Sequence, residues 1–242
     1  MAAVSGPLLF HANLSMTSQP HSLQAIAHRA LEMVPANAVI GLGTGHAAAT
    51  FIQALADKVK QGFVVRGVPT SKASEELARK LGIPIIGLDR VETLDLDVDG
   101  ADEVDPAGNL IKGYGGALVR EKIVAAAARR LVILVGPEKL VPQLGSHGIL
   151  PVEVIPFAVP LCTRRLATLG CRAQPRFQAG KPFVTDNGNQ ILDCRVQPIS
   201  RPDDLDRAIR DIPGVVGTGL FIGMPVTVLV QRGDEVEEMP RA

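Results

Sequence analysis

The stretch that decides the fold is "AVIGLGTGHAAATFIQALADKVKQGFVVRGVP", residues 38–69. It begins with an apolar segment and a glycine-rich turn, continues with apolar residues at helical spacing, and ends in a second apolar segment. Strands that are apolar along their whole length are buried on both faces, and a helix that returns between two of them makes them parallel. The stretch therefore predicts a parallel sheet covered by helices.

The alternation of helices and strands continues on both sides of this stretch. We predict further helices over residues 22–34, with Ser22 as the capping residue, over 71–82 and over 116–130, and further strands over 83–88 and 131–136. This order predicts a doubly wound α/β domain with a mostly parallel sheet.

The pattern changes near residue 147. The chain then follows the order strand, helix, two strands around the turn signal Asn187-Gly188, helix and strand, which is the order of a ferredoxin-like α+β unit. The last strand of this unit is predicted over residues 214–221. A further strand over 225–233 is expected to rejoin the first domain.

These patterns predict an α/β fold with a doubly wound, mostly parallel sheet domain and a smaller ferredoxin-like α+β domain. The predicted divisions are a flexible N-terminal tail (1–21), a Rossmann-like catalytic domain (22–146 plus 218–242) and the ferredoxin-like domain (147–217). Residues 1–20 contain no acidic residue, Lys or Arg, whereas organelle transit peptides are normally Arg-rich, so a flexible tail is favoured over a targeting segment.

The composition argues against several classes of function. Lys and Arg together number 25, as do Asp and Glu, and the chain has no Trp and a single Tyr. Without a basic surface or aromatic stacking platforms, binding to nucleic acid is not expected. No apolar run is long enough to cross a membrane, and no membrane partner is expected.

The cysteines and histidines indicate an intracellular protein without a metal site. The three cysteines, Cys162, Cys171 and Cys194, lack metal-ligand spacing, and the five histidines are scattered. We therefore predict reduced thiols, a cytoplasmic location and no bound metal ion.

The most informative motif is "VDGADEVDPAGNLIKGYGG", residues 98–116. Asp99 and Asp102 follow a predicted strand, and ligands of open α/β sheets bind outside the carboxyl ends of the strands. The glycines after Lys112 leave the backbone open to a ligand. Asp105, which precedes a proline, is interpreted as a turn residue.

Two neighbouring features are weaker when taken alone. The turn "GLGTG" could bind an anion at a helix N-terminus, but an isolated glycine turn is more often structural. Glu121 lies on the helix after the motif, and helical spacing by itself favours a surface glutamate paired with Arg120 or Lys122.

Read together, these segments resemble ribose-5-phosphate isomerase, type A. The matching stretches run in the family order from about residue 22 to 223, and they include "GLGTG", "TSKASEELARKLGIPI", "DVDGADEVDPAGNLIKGYGGALVREKIVA", "PEKLV", "LPVEVIPFA", "PFVTDNGNQILD" and "GVVGTGLFIG". The combination of "DGADEVD", "IKG" and "REKI" is far more specific than any of these segments alone.

The resemblance implies interconversion of ribose 5-phosphate and ribulose 5-phosphate in the non-oxidative branch of the pentose phosphate pathway. It implies no metal or other cofactor, and a homodimer or a dimer of dimers. It makes Glu121 the catalytic base. For a proton transfer through a cis-enediolate we assign Lys112 to stabilise the developing negative charge, Asp99 to open the sugar ring and Asp102 to position hydroxyl groups. The expected substrate-binding residues are Thr44, Gly45, His46, Ala47, Asp99, Gly100, Ala101, Asp102, Lys112, Gly113, Tyr114, Gly115 and Lys139.

The chain departs from the family pattern where the phosphate is expected to bind. His46 and Ala47 replace a Ser-Thr pair, Tyr114 replaces a glycine, and Leu23 and Gln24 stand where relatives often carry lysines. Two alternatives therefore remain open: a catalytically weak sugar-phosphate-binding protein of the same fold, and an isomerase or deaminase that acts on a related sugar phosphate.

Overall fold

The structure, a computed structural model, describes residues 23–240. The described strands are β1 (Ala38–Leu42), β2 (Val65–Pro69), β3 (Leu96–Gly100), β4 (Glu103–Val104), β5 (Leu110–Ile111), β6 (Leu131–Val135), β7 (Ile149–Val154), β8 (Arg172–Pro175), β9 (Phe177–Gln178), β10 (Lys181–Pro182), β11 (Gln190–Arg195), β12 (Val215–Thr218), β13 (Leu220–Phe221), β14 (Val226–Arg232) and β15 (Glu235–Glu238). The described α-helices are α1 (Gln24–Leu31), α2 (His46–Lys60), α3 (Lys72–Lys80), α4 (Leu118–Ala127), α5 (Val159–Thr168) and α6 (Pro202–Arg210). The predicted tail and the predicted cap Ser22 lie outside the described residues.

A six-stranded sheet forms the centre of the fold. Its strand order is β15-β14-β6-β3-β1-β2, and all neighbours are parallel except the edge pair β14 and β15. Helices α1 and α2 pack with one face of this sheet in a single apolar cluster, whereas Val124 of α4 packs on the other face. The prediction of a doubly wound, mostly parallel sheet is confirmed.

The alternation of side chains along β3 places apolar residues on one face of the sheet and carboxylates on the other. Leu96 and Val98 belong to the cluster shared with α1 and α2. Successive side chains on a strand point to opposite faces, so Asp97 and Asp99 point to the face that α4 covers. The carboxylates of this strand therefore lie under the helix that carries Glu121.

The second sheet has the predicted ferredoxin-like order. Its four strands run β12-β7-β11-β8 and are all antiparallel, and Leu166 of α5 and Ile209 of α6 pack against it. The predicted turn also forms, with Gly188 at φ 81° and a bridge between Val184 and Gln190. The domain boundaries at residues 147 and 217 stay a prediction.

Two predicted strands differ in the structure. Residues 83–88 contribute one isolated bridge, between Ile85 and Gly67, instead of a strand. Residues 214–221 divide at Gly219 into β12 and β13, which belong to different sheets. At this point the Gly219 N–H donates to Pro151 O at 2.7 Å, and Gly219 O accepts the N–H of Lys112 at 2.9 Å, so the chain changes sheets.

A third, small antiparallel sheet connects the other two. Its order is β13-β5-β4, and Lys112 directly follows β5. The lysine is thereby fixed between the parallel sheet and the ferredoxin-like sheet. None of the helices within residues 23–240 has the length and apolar character needed to cross a membrane.

Candidate functional site

A cavity of about 810 Å³ lies at the carboxyl ends of β1, β3, β6 and β14. Its lining residues are Leu23, Thr44, Gly45, His46, Ala47, Gly100, Ala101, Asp102, Lys112, Gly113, Gly115, Glu121, Leu134, Gly136, Pro137, Glu138, Lys139, Gln231, Arg232 and Gly233. This is the edge of the sheet at which ligands of open α/β folds bind. The cavity therefore brings together most of the residues predicted from the sequence.

Two of the predicted residues do not line the cavity. Asp99 is fully buried behind its wall. The Tyr114 side chain is 38% exposed, and its hydroxyl donates to Ile149 O at 3.3 Å. The backbone of Tyr114, in contrast, contributes to the site, as described below.

Three buried charged groups form the centre of the site. Lys112 Nζ lies 3.0 Å from Asp99 Oδ2 and 3.6 Å from Glu121 Oε2, and it donates to Gly100 O at 2.5 Å. All three side chains are at most 5% exposed. Asp99 is fixed on its other oxygen, because Oδ1 accepts the N–H groups of Thr44 at 3.0 Å and of Gly100 at 2.8 Å.

The glycine turn "GLGTG" makes room for these carboxylates. A Cβ on Gly43 would lie 2.3 Å from Asp99 Oδ1, and a Cβ on Gly41 would lie 2.2 Å from Asp97 Oδ1. Any side chain at these two positions would therefore displace a carboxylate. The first two glycines of the motif leave space for the buried carboxylates. Gly45, at φ 103°, makes the turn into α2.

The pKa values of Glu121 and Lys112 are shifted from their ordinary values. Burial raises the pKa of Glu121 to about 8, although the nearby Lys112 ammonium opposes this shift. Burial alone would lower the pKa of Lys112, but the carboxylates of Asp99 and Glu121 outweigh it and raise that pKa above its ordinary value. A carboxylic acid that titrates near neutral pH beside a permanent cation is suited to moving protons.

Asp102 presents a second carboxylate to the cavity. Its Oδ2 accepts the N–H of Tyr114 at 2.9 Å, and its own N–H donates to Ile111 O. Burial raises the pKa of Asp102, and the hydrogen bond from the Tyr114 amide partly opposes this. Asp102 is thus held by the loop that follows Lys112.

The N-terminus of α2 forms another part of the wall. Gly45 is its N-cap and supplies no side-chain cap, and the first N–H groups of a helix have no partner within the helix. The hydroxyl of Thr44 contacts those of Thr70 at 2.7 Å and Ser71 at 2.9 Å. Ser71 also caps α3, because its side chain accepts the N–H of Ser74. The free amides and the macrodipole of α2 favour an anion here.

Cationic groups line the cavity beyond Lys112. Lys139, in the short 3₁₀ turn after β6, and Arg232, at the end of β14, both contribute to its wall. Arg232 Nε also pairs with Glu237 Oε1 at 2.5 Å. Within the described residues, no group of three or more His, Cys, Asp or Glu side chains could hold a metal ion.

The sequence reasoning missed three residues of this region. Arg232 lies in no recognisable sequence motif. It reaches the cavity because β14 pairs in parallel with β6. Asp97 is fully buried below the site, and neither of its carboxylate oxygens has a hydrogen-bond partner among residues 23–240. Its place in the apolar alternation of "LDLDVDG" was a usable signal. Arg176, which contacts the loop after Lys112 from the ferredoxin-like sheet, had no signal in the sequence.

Comparison with known proteins gives one consistent result. The family model "Ribose 5-phosphate isomerase A (phosphoriboisomerase A)" matches residues 66–235. A protein named ribose-5-phosphate isomerase A from Roseiflexus castenholzii is 50% identical over 216 residues, which are 88% of this chain and 92% of that protein. A protein of the same name from Gloeobacter violaceus is 51% identical over 216 residues, with 88% and 94% covered.

Solved structures of similar proteins agree with these matches. The ribose 5-phosphate isomerase A of Methanocaldococcus jannaschii superposes with a TM-score of 0.85 at 39% identity, and 89% of this chain and 97% of that one are covered. A D-ribose-5-phosphate isomerase in complex with phospho-erythronic acid gives a TM-score of 0.87 at 39% identity, with 90% and 97% covered. The similarity therefore extends over most of the chain.

Proposed function

Because the chain belongs to the ribose 5-phosphate isomerase A family, we propose that it interconverts D-ribose 5-phosphate and D-ribulose 5-phosphate, a reaction of the non-oxidative branch of the pentose phosphate pathway. The observation that carries the proposal is the buried pair at the cavity wall, where Glu121 Oε2 lies 3.6 Å from Lys112 Nζ. An aldose–ketose isomerisation needs a base beside a group that stabilises an oxyanion, and this pair supplies both.

The proposed reaction transfers one proton between neighbouring carbons. Glu121 removes the proton from C2 of the open-chain aldose and leaves a cis-enediolate, whose negative oxygen lies against Lys112. The protonated Glu121 then returns the proton to C1 on the same face, while a hydroxyl proton moves from O2 to O1. Lys112 is suited to this role because Asp99 and Gly100 O hold its ammonium group in place before the charge develops.

Asp99 and Asp102 are proposed to have different roles in the reaction. The sequence assigned ring opening to Asp99, but Asp99 is fully buried and bound to Lys112, whereas Asp102 lines the cavity. The geometry favours direct contact of Asp102 with the sugar, and it favours Asp99 as the residue that orients Lys112. With this assignment Asp99→Asn should lower kcat, as a change at Lys112 would, and Asp102→Asn should mainly raise KM. A large loss of kcat in Asp102→Asn with little effect in Asp99→Asn would reverse the assignment.

The phosphate group is proposed to bind at the N-terminus of α2. The amides of residues 45–47 and the ammonium group of Lys139 suit a dianion there, and a ring N–H of His46 offers a further donor. Thr44 and the backbone around Gly113 and Gly115 complete the proposed contacts. The phospho-erythronic acid bound by a related isomerase is a four-carbon acid that ends in phosphate, which is consistent with a cavity lined by Lys112 and Lys139.

The proposed assembly is a homodimer or a dimer of dimers. Phe157 is 96% exposed, and Ile155 and Val216 beside it are 48% and 41% exposed, so a patch of apolar surface is available to a second copy. Light scattering on the purified chain tests this, and a monomer at micromolar concentration would contradict it. The buried, unpaired cysteines support a reducing, cytoplasmic location.

Proton NMR of ribose 5-phosphate in heavy water tests the activity itself. Deuterium at C2 of the aldose or at C1 of the ketose is expected, because Glu121 exchanges its proton with solvent during the reaction. Binding without any exchange would instead favour a catalytically silent sugar-phosphate-binding protein, an alternative that the replacements at His46 and Ala47 keep open. A panel of related sugar phosphates tests the other alternative.

A further inference from the structure

The peptide unit that joins Gly113 to Tyr114 lies between a cation and an anion. Its carbonyl oxygen, on Gly113, accepts a hydrogen bond from Arg176 Nη1 at 3.0 Å. Its N–H, on Tyr114, donates to Asp102 Oδ2 at 2.9 Å. The peptide dipole therefore points its positive end at the carboxylate and its negative end at the guanidinium group, which is the favourable orientation.

Arg176 is itself firmly held. Its Nε and Nη2 donate to the two carboxylate oxygens of Asp193 on β11 at 2.9 and 2.5 Å, and its guanidinium group lies 5.8 Å from the centre of the Phe183 ring. The side chain is 15% exposed. Nη1 then donates to Tyr114 O at 3.0 Å as well as to Gly113 O. Arg176, which directly follows β8 of the ferredoxin-like sheet, thus holds two carbonyl groups of the loop. We call this arrangement the clamp.

The loop itself contributes one hydrogen bond to this peptide unit, since the N–H of Gly116 donates to Gly113 O at 3.0 Å. Gly113 and Gly116 adopt φ values of 109° and 86°, and glycine changes between positive and negative φ at little cost. Phe183 limits the loop at one end, since a Cβ on Gly116 would lie 2.4 Å from its ring. The other two hydrogen bonds of the 113–114 peptide join it to residues outside the loop, because Arg176 donates to Gly113 O and the Asp102 carboxylate accepts the N–H of Tyr114. If the peptide unit reversed, the Gly113 carbonyl would face the Asp102 carboxylate and be repelled.

We propose that Arg176 is a positioning residue for substrate binding, which fixes the 113–114 peptide so that Asp102 and the backbone of Gly113 and Gly115 keep one arrangement toward the sugar. This inference rests on the proposed function, since it concerns the same cavity. Arg176 does not line that cavity and acts through the loop. Lys112 is anchored separately by Asp99 and Gly100 O, so the chemical step should be little affected by changes at Arg176.

The test compares Arg176→Met with the wild-type chain. Losing a charge-assisted hydrogen bond to the loop should raise KM for ribose 5-phosphate, and the inhibition constant of phospho-erythronic acid, by roughly tenfold to a hundredfold. The expected change in kcat is less than about threefold, because an interaction used equally in the ground and transition states affects KM alone. Arg201→Met is the matched control, since Arg201 is 82% exposed and pairs with Asp204 on the surface. It should change neither constant.

The separation of KM from kcat distinguishes positioning from a general structural role. A variant that is merely less stable contains fewer active molecules, so its kcat per total protein falls while KM stays the same. For Arg176→Ala, guanidinium chloride at low millimolar concentration should lower the raised KM, while urea at the same concentration should not. An unchanged KM and inhibition constant in folded Arg176→Met would overturn the inference.

A second variant covers the case in which Arg176→Met does not fold. Asp193→Asn leaves the arginine in place but removes the carboxylate that aims it, so KM should rise by a smaller factor than in Arg176→Met. An Asp193→Asn variant that folds and binds like the wild type would also count against the clamp. Failure of the proposed function is separate: wild-type protein that does not isomerise ribose 5-phosphate would refute that function, and calorimetric titration with phospho-erythronic acid would still test the clamp.

Discussion

Glu103 and Glu121 are both buried glutamates, yet their surroundings differ completely. Glu103 is fully buried on β4, and its two carboxylate oxygens accept the N–H groups of Gly145 at 2.6 Å and of His147 at 2.7 Å. Glu121 is 4% exposed on α4, and its Oε2 accepts no hydrogen bond from the described residues, with Lys112 Nζ 3.6 Å away.

The difference shows what burial of a carboxylate can achieve. A carboxylate that receives two backbone amides is stabilised as an anion and closes a loop. A carboxylate that is desolvated without such donors binds a proton more readily, and its pKa rises towards neutral pH. The raised pKa of Glu121 is an example. The first arrangement supports structure and the second supports proton transfer, and the predictions below test this contrast.

The largest expected effect is that of Glu121→Gln on turnover. The amide keeps the shape of the side chain but cannot take a proton from carbon, so kcat should fall by roughly two to four powers of ten. Steady-state kinetics on ribose 5-phosphate measure this, and circular dichroism confirms that the variant is folded. Turnover close to that of the wild type would exclude Glu121 as the base.

The pH dependence of kcat/KM should follow the ionisation of Glu121. Burial raises its pKa to about 8, and the protonated acid cannot accept a proton, so the rate should fall by about tenfold per pH unit below that value. Rates measured between pH 6 and 9 would show this limb. The inhibition constant of phospho-erythronic acid over the same range separates it from ionisation of the phosphate group. A limb centred near pH 4 would mean that the glutamate is not perturbed.

Glu103→Gln should give the opposite result to Glu121→Gln. The glutamine places an NH₂ group against one of the two amide donors, which leaves buried polar groups unpaired at a cost of about 1–3 kcal/mol. Urea denaturation should therefore show a lower free energy of unfolding, while kcat of the folded fraction is retained. Equal stability of the two glutamine variants would remove the contrast drawn between Glu103 and Glu121.

The smallest effect is expected for Asp97→Asn. Burial raises the pKa of Asp97 well above its ordinary value, so the folded state holds a proton that the unfolded state releases as pH rises. Wild-type stability thus declines with pH above the ordinary Asp range. Asparagine removes this decline, and the variant should be about 1 kcal/mol more stable than the wild type at pH 8 and no more stable at pH 4.

The control for this last prediction is Asp57→Asn. Asp57 is largely exposed and pairs with Lys60 on the surface of α2, so its replacement should change stability by less than about 0.5 kcal/mol at either pH. An Asp97→Asn variant whose advantage over the wild type is independent of pH would show that Asp97 is not protonated in the native state.

Local patterns were sufficient to predict most of the fold. The buried strands, the glycine turns and the helices between them follow from the periodicity of apolar residues, which depends on neighbours within a few positions. The same local information failed at residues 83–88, where Ile85 is apolar but forms one bridge, and at residues 214–221, where Gly219 divides a continuous apolar segment. Both outcomes depend on which chain lies alongside, and sequence periodicity does not contain that information.

The site divides in the same way. The sequence by itself determined the doubly wound class, the family resemblance, and the residues Asp99, Lys112 and Glu121 as candidates. The tertiary structure alone decided that Glu121 faces inward to Lys112, that Asp99 lies behind the cavity wall, and that Arg176 reaches the loop from another sheet. The physical reason is that burial and pairing arise from contacts between segments far apart in the chain, and these contacts are fixed only when the three sheets pack together.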